Sequence, residues 1–114
     1  MSPATKRSAG VAPIFAALGD ETRLSLVRRM SSSEPLSIRT LTAGTDVTRQ
    51  AVTRHLEVLA EAGVVRSTRH GRERLFELEP ARIALARRSL DQISAWWDKK
   101  LAALKSSLEA QKEN

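Results

Sequence analysis

Leu41-Thr42-Ala43-Gly44-Thr45-Asp46-Val47-Thr48-Arg49-Gln50-Ala51-Val52-Thr53-Arg54-His55-Leu56 is the stretch on which the fold turns. A short helix closes at Ala43, Gly44-Thr45-Asp46 makes a tight turn, and Thr48 can cap a second helix running from Arg49 to about Ala62. Two helices joined by a short glycine-containing turn form a helix-turn-helix unit, and the second helix of such a unit enters the DNA major groove. At about 100° per residue, Val52, Leu56 and Leu59 share one face and Gln50, Thr53, Arg54 and Glu57 the opposite one. Arg49 flanks the polar face in the first turn. Arginine can pair with guanine through two hydrogen bonds, glutamine with adenine, and a threonine methyl can touch a thymine methyl. The Thr48 hydroxyl and the helix N-terminus suit a phosphate, and His55, at the edge of the inward face, is a packing or phosphate-contacting group. Taken alone, the same face is equally the solvated side of an amphipathic helix.

The segment beyond the helix tips the balance. Gly63 suits a left-handed cap, and Val64–Arg69 and Arg74–Leu78 read as strands around a His70-Gly71-Arg72 turn. Arg66, Arg69, Arg72 and Arg74 crowd this hairpin, more cation than is needed to discourage edge-to-edge pairing. A wing of this kind, spanning 66–74, can lay arginine on the DNA backbone or in the minor groove. Glu73 and Glu77 should point away from DNA or orient an arginine. Pro80 suits the first turn of a last helix, about 81–108, in which Ala86, Leu90, Ile93, Trp97, Leu101, Leu104 and Leu108 recur at steps of three or four. At 1.5 Å per residue that helix is roughly 40 Å long, more than one small core requires, so we expect it to pair with a second copy.

Upstream, Ile38 and Leu41 face inward on a helix capped by Ser37, after a loop over residues 32–35. Asp20 caps a helix over Glu21–Ser31, and Val11–Leu18 forms a short apolar segment ended by Gly19. The expected order is α-α-α-α-β-β-α: mainly α with a small β-hairpin, a winged helix-turn-helix dimeric through its first and last helices. Residues 1–10 read as a flexible tail, 11–108 as the domain and 109–114 as a frayed end.

The chain resembles the ArsR-type winged-helix repressors from Ile14 to Leu108. Ile14-Phe15-Ala16-Ala17-Leu18-Gly19-Asp20-Glu21-Thr22-Arg23 looks like the family's opening. Thr53-Arg54-His55-Leu56-Glu57-Val58-Leu59-Ala60-Glu61-Ala62-Gly63-Val64-Val65 is similar to its recognition helix and exit, and Gly71-Arg72-Glu73-Arg74-Leu75-Phe76-Glu77-Leu78 to its wing. The resemblance implies a homodimer that binds a palindromic operator and represses transcription. The DNA-binding candidates are Thr48, Arg49, Gln50, Thr53, Arg54, His55, Arg69, Arg72 and Arg74. The dimer candidates are Ile14, Leu18, Leu90, Ile93, Trp97, Leu101, Leu104. Many members sense metal through third-helix cysteines or through a carboxylate and histidines of the last helix. This chain has no cysteine, its last helix has no histidine, and Ile93 stands two residues after Asp91 where a ligand would fall. No metal and no cofactor is expected. Trp96-Trp97 with Leu101 and Leu104 resembles a subgroup without metal sites, which leaves room for a small apolar effector near either tryptophan.

Composition agrees. In 114 residues, 41% are hydrophobic and 28% charged, as in one ordinary globular domain. The net charge of +6 favours a polyanionic partner. No apolar run approaches the ~18 residues of a membrane span, and no signal-type segment follows Lys6 and Arg7, so a cytoplasmic protein is expected. No phosphate loop or nucleophile–base pair stands at a diagnostic spacing, which argues against an enzyme. Aromatics are only 4%, which favours duplex DNA over RNA stacking. The rival readings are a non-specific nucleoid-type DNA binder and a protein-interaction module on the same fold.

Overall fold

A computed structural model describes residues 10–32 and 34–113. Most of the expected 1–10 tail therefore lies outside the described residues, as does Ser33 of the loop. Five helices and three strands follow in order: α1 (Ala12–Leu18), α2 (Glu21–Ser31), β1 (Leu36–Ser37), α3 (Ile38–Ala43), α4 (Arg49–Glu61), β2 (Val65–His70), β3 (Glu73–Leu78) and α5 (Pro80–Glu113).

Local chemistry sets these bounds. The Asp20 carboxylate accepts the Arg23 backbone N–H at 3.0 Å, the Ser37 hydroxyl accepts that of Thr40 at 3.1 Å, and the Thr48 hydroxyl that of Ala51 at 3.1 Å. Each satisfies a donor that a helix start leaves unpaired. At the other end of α4, Gly63 takes φ +79°. The Val64 N–H reaches back to the Leu59 carbonyl at 2.9 Å and the Gly63 N–H to that of Ala60 at 3.0 Å. This is the Schellman pairing, and it turns the chain out of α4 directly into β2.

The helices converge on one core. Ile14 of α1, Leu26 of α2, Leu41 of α3, Val52, Leu56 and Leu59 of α4, and Val64 are fully buried. Phe76 of β3 closes the core from the sheet side. The inward face of α4 is the expected one.

The sheet has the order β1-β3-β2, all antiparallel, with Leu36 opposite Phe76 and Val65 opposite Leu78. The hairpin is tighter than the sequence suggests. His70 pairs with Glu73, which leaves a two-residue turn, Gly71-Arg72, with Gly71 at φ +64°. A glycine with positive φ at the first turn position matches the strand twist. β1 adds a third strand to the expected hairpin.

α5 differs in length. It runs without a break to Glu113, past Leu108, where the sequence reading ends it. No glycine or proline interrupts 81–113, and Glu109-Ala110-Gln111-Lys112-Glu113 are all helix formers, so nothing stops propagation. Its first turns pack on the core through Ile83, Leu85 and Ala86. Beyond them it stands clear. The radius of gyration is 19.4 Å, where a compact chain of this length would have about 13 Å.

Candidate nucleic-acid interface

Burying Val52, Leu56 and Leu59 turns the polar side of α4 outward. Thr48, Gln50, Ala51, Thr53, Arg54 and Glu57 line one shallow hollow at the start of that helix. The Arg54, Gln50 and Arg49 side chains are exposed, and none makes a hydrogen bond or ion pair among the described residues. The Thr53 hydroxyl donates to the Arg49 carbonyl at 2.9 Å, so it offers an acceptor and a methyl rather than a free donor. The Thr48 oxygen is used as the cap, which leaves its proton for a phosphate.

The four hairpin arginines separate into two kinds. Arg66 is engaged: its Nε donates to Glu77 at 3.0 Å and its Nη1 to Glu79 at 3.1 Å. Those bonds, Glu77 first, raise its pKa. Arg74 donates to the Ser67 hydroxyl at 2.8 Å and lies 5.5 Å over the Phe76 ring. Arg69 and Arg72 are exposed, with no partner among the described residues. Arg69 stands directly opposite Arg74 in the register. Like charges so placed destabilise a hairpin, and a bound polyanion would relieve the repulsion. Glu73 lies on the other face of the hairpin.

Two positions take roles that the sequence left open or passed over. His55 turns away from the Gln50–Arg54 face, toward α2. Its Nδ1 lies 3.2 Å from Nη1 of Arg23 and 3.9 Å from the Asp20 carboxylate, and the side chain is 21% exposed. The cause is its angular position at about 100° per residue, roughly 40° beyond Leu59 and on the side away from Leu56, on the flank that meets α2. The Asp20 pKa is lowered, first by the Arg23 backbone N–H it accepts and then by the charge of Arg23. Arg29, which sequence reasoning passed over, spans from α2 to the end of α3. It donates to the Leu41 carbonyl at 2.6 Å and the Thr40 carbonyl at 2.8 Å. It thereby satisfies the carbonyls freed just before the turn. Only its position off the apolar stripe of α2 hinted at a separate task.

Ile14, expected at a dimer interface, is instead wholly inside its own domain's core, and Leu18 is half-buried against that core. A seven-residue helix has few apolar positions, and the domain's own core takes Ile14 and Ala17. On α5, by contrast, Leu90, Ile93, Trp96, Trp97, Leu101, Leu104 and Leu108 are between 50% and 57% exposed. The Trp96 and Trp97 rings meet edge to face at 5.2 Å, with Lys100 over Trp96. No group of three His, Cys, Asp or Glu side chains placed to hold a metal occurs among the described residues, and none of their helices is long and apolar enough to cross a membrane.

The geometry agrees with known proteins. A helix-turn-helix domain family matches residues 18–68. The uncharacterized HTH-type transcriptional regulator YuzN of Bacillus subtilis is 40% identical over 75 residues, covering 59% of this chain and 82% of that one. The arsenical resistance operon repressor of Escherichia coli is 31% identical over 83 residues, 73% of this chain and 69% of that one. The solved structure of an ArsR-like transcriptional regulator from Rhodococcus sp. RHA1 superposes with a TM-score of 0.70 at 36% identity, over 84% of this chain and 90% of that one. The chain belongs to the ArsR family. As an ArsR-family winged helix-turn-helix protein it is a DNA-binding transcriptional regulator and not an enzyme. The hollow on α4 and the tip of the wing are where its exposed cations without a partner among the described residues stand, at Arg49, Arg54, Arg69 and Arg72.

Proposed function

We propose that this ArsR-family protein is a homodimeric repressor that reads a palindromic operator. α4 enters the major groove in each half-site and the wing lies along the backbone or in the minor groove. The observation that carries the reading is the face of α4: a glutamine and two arginines, exposed and unpartnered, at the start of a helix whose other side is locked in the core. Arg54 and Gln50 read base edges, the Thr53 methyl adds an apolar contact, and Thr48, Arg49, Arg69, Arg72 and Arg74 hold phosphates. Dimerisation follows from α5, whose apolar seam is about half exposed among the described residues of one chain. Two-fold symmetry in the protein demands two-fold symmetry in the site, with half-sites about one helical turn, roughly 34 Å, apart. Repression is the direct result of a promoter occupied by such a dimer, which bars other proteins from the same duplex.

The test is selection of bound sequences from a random duplex library at near-physiological salt. A palindromic motif, bound at least about a thousandfold tighter than random DNA, is expected. Binding without a motif, fading evenly as salt rises, would make this a non-specific DNA coat. No binding at all would leave a protein-interaction module.

A further inference from the structure

We propose that Arg23 is a positioning residue for the DNA-reading helix and acts through the Nδ1 lone pair of His55, whose ring proton then lies on Nε2. The inference rests on α4 being the reading helix. Three elements meet at Arg23. Its backbone N–H is accepted by Asp20 at 3.0 Å, which starts α2. Its Nε donates to the Ala17 carbonyl at 2.6 Å, which ties it to the end of α1. Its Nη1 lies 3.2 Å from Nδ1 of His55, two turns into α4.

A guanidinium only donates, so the Nδ1 it meets must be the bare acceptor nitrogen of the ring. The opposite arrangement would put a proton on Nδ1 and aim it at Asp20. That carboxylate is 3.9 Å away, beyond hydrogen-bond length, whereas Arg23 is within it. Among the described residues, Arg23 and Asp20 are the charged side chains that hydrogen-bond or ion-pair with the ring. The nearer one decides the tautomer.

The consequence is mechanical. Val52, Leu56 and Leu59 hold α4 against the core, but apolar contacts are non-directional and tolerate rotation of a helix about its axis. A directional bond on the flank of α4 removes that freedom. Arg54, adjacent to His55 in sequence, is thereby aimed. Because the same guanidinium grips the end of α1, the orientation of the reading face is referred to α1 as well as to α2.

Asparagine places its side-chain oxygen where histidine places Nδ1, whereas leucine has no acceptor. His55→Asn should therefore bind the selected operator within about twofold of the native protein. His55→Leu and Arg23→Met should each lose about tenfold or more in specific affinity, with a smaller loss on random DNA. The ring itself is read without DNA, by two-bond nitrogen–proton NMR at neutral pH. The chain has two histidines, so a His70→Asn variant assigns the spectrum. The expected His55 form is the Nε2–H tautomer, becoming a tautomer mixture in Arg23→Met. An Nδ1–H or doubly protonated His55 in the native protein overturns the proposal. So does native-like binding by His55→Leu, or an equal loss in His55→Asn and His55→Leu, which would mean that the ring rather than its acceptor matters. If the native protein selects no motif, the functional reading fails, and the spectrum alone still decides the relay.

Discussion

Gly44 sits at φ −94°, a backbone open to any residue, so conformation does not explain it. Its neighbour does: a Cβ there would overlap the Arg29 guanidinium. The clash is relieved only by moving that guanidinium off the Thr40 and Leu41 carbonyls. We expect Gly44→Ala to cost about 1–3 kcal/mol through these charge-assisted bonds. In an Arg29→Met background the same change should cost nearly nothing, because the obstacle and the bonds are already gone. A double-mutant cycle by urea unfolding measures this, and additive effects would refute the clasp. At the reading face, Arg54→Ala should lower operator affinity by about 1–3 kcal/mol and relax base preference, whereas Arg72→Ala should weaken all sequences alike. Repeating the duplex selection with both variants separates them, and an unchanged motif from Arg54→Ala would remove it from base reading. The sequence made Arg54 and Arg72 legible as cations on a helix and at a turn. It counted Arg69 and not Arg66 among the DNA-binding candidates, but could not name the partners of Arg66, which come from across the hairpin and beyond, at Glu77 and Glu79. Pairings of that kind depend on register, which composition does not encode. The sequence left His55 between packing and phosphate contact for a similar reason: its partner Arg23 is 32 residues away.

The helix-turn-helix and the hairpin were legible because their signals are local: caps at Ser37 and Thr48, a left-handed glycine at 63, and alternation along the strands. β1 was not, since two residues, Leu36–Ser37, carry no period and exist as strand only through pairing with β3. The seam of α5 was legible, but its end was not, for want of a stop signal. From Leu90 the seam falls on a seven-residue repeat, with Leu90, Trp97 and Leu104 alternating with Ser94, Leu101 and Leu108. The residues flanking it then choose the direction of pairing. In a parallel pair Lys100 would face Lys105 of the partner subunit, a repulsion. In an antiparallel pair centred between Leu101 and Leu104, Asp98 faces Lys105 of the partner subunit and Asp91 faces the partner subunit's Lys112. We therefore expect antiparallel α5 helices. Asp98→Lys alone and Lys105→Asp alone should each weaken the dimer several-fold in sedimentation equilibrium, and the double exchange should restore it. Two weakened singles with an equally weakened double would point to another alignment.

The molecule as a whole is a small basic head on a long helical arm, 73 Å in its largest extent. A net charge of +6 does not itself say how many phosphates are met, because Arg66 is already neutralised within the hairpin. Setting Arg54 aside as a base reader leaves Arg49, Arg69, Arg72 and Arg74 as the exposed cations of the reading helix and wing without an acidic partner among the described residues of each protomer. A dimer seated on both half-sites would then neutralise about eight phosphates, so log K should fall against log salt with a slope of about −7. Trp97→Glu puts a charge into the apolar seam of α5 and should leave a monomer. A lone protomer keeps the same head and the same reading face but meets half the phosphates, so its slope should fall to roughly half the native value along with its affinity. Fluorescence anisotropy titrations of both proteins on one operator duplex, from about 50 to 200 mM salt, measure this directly. A slope unchanged in a variant that sediments as a monomer would mean that one head makes every phosphate contact. The second protomer would then contribute to stability or to another partner, and the two-headed reading of the operator would be wrong.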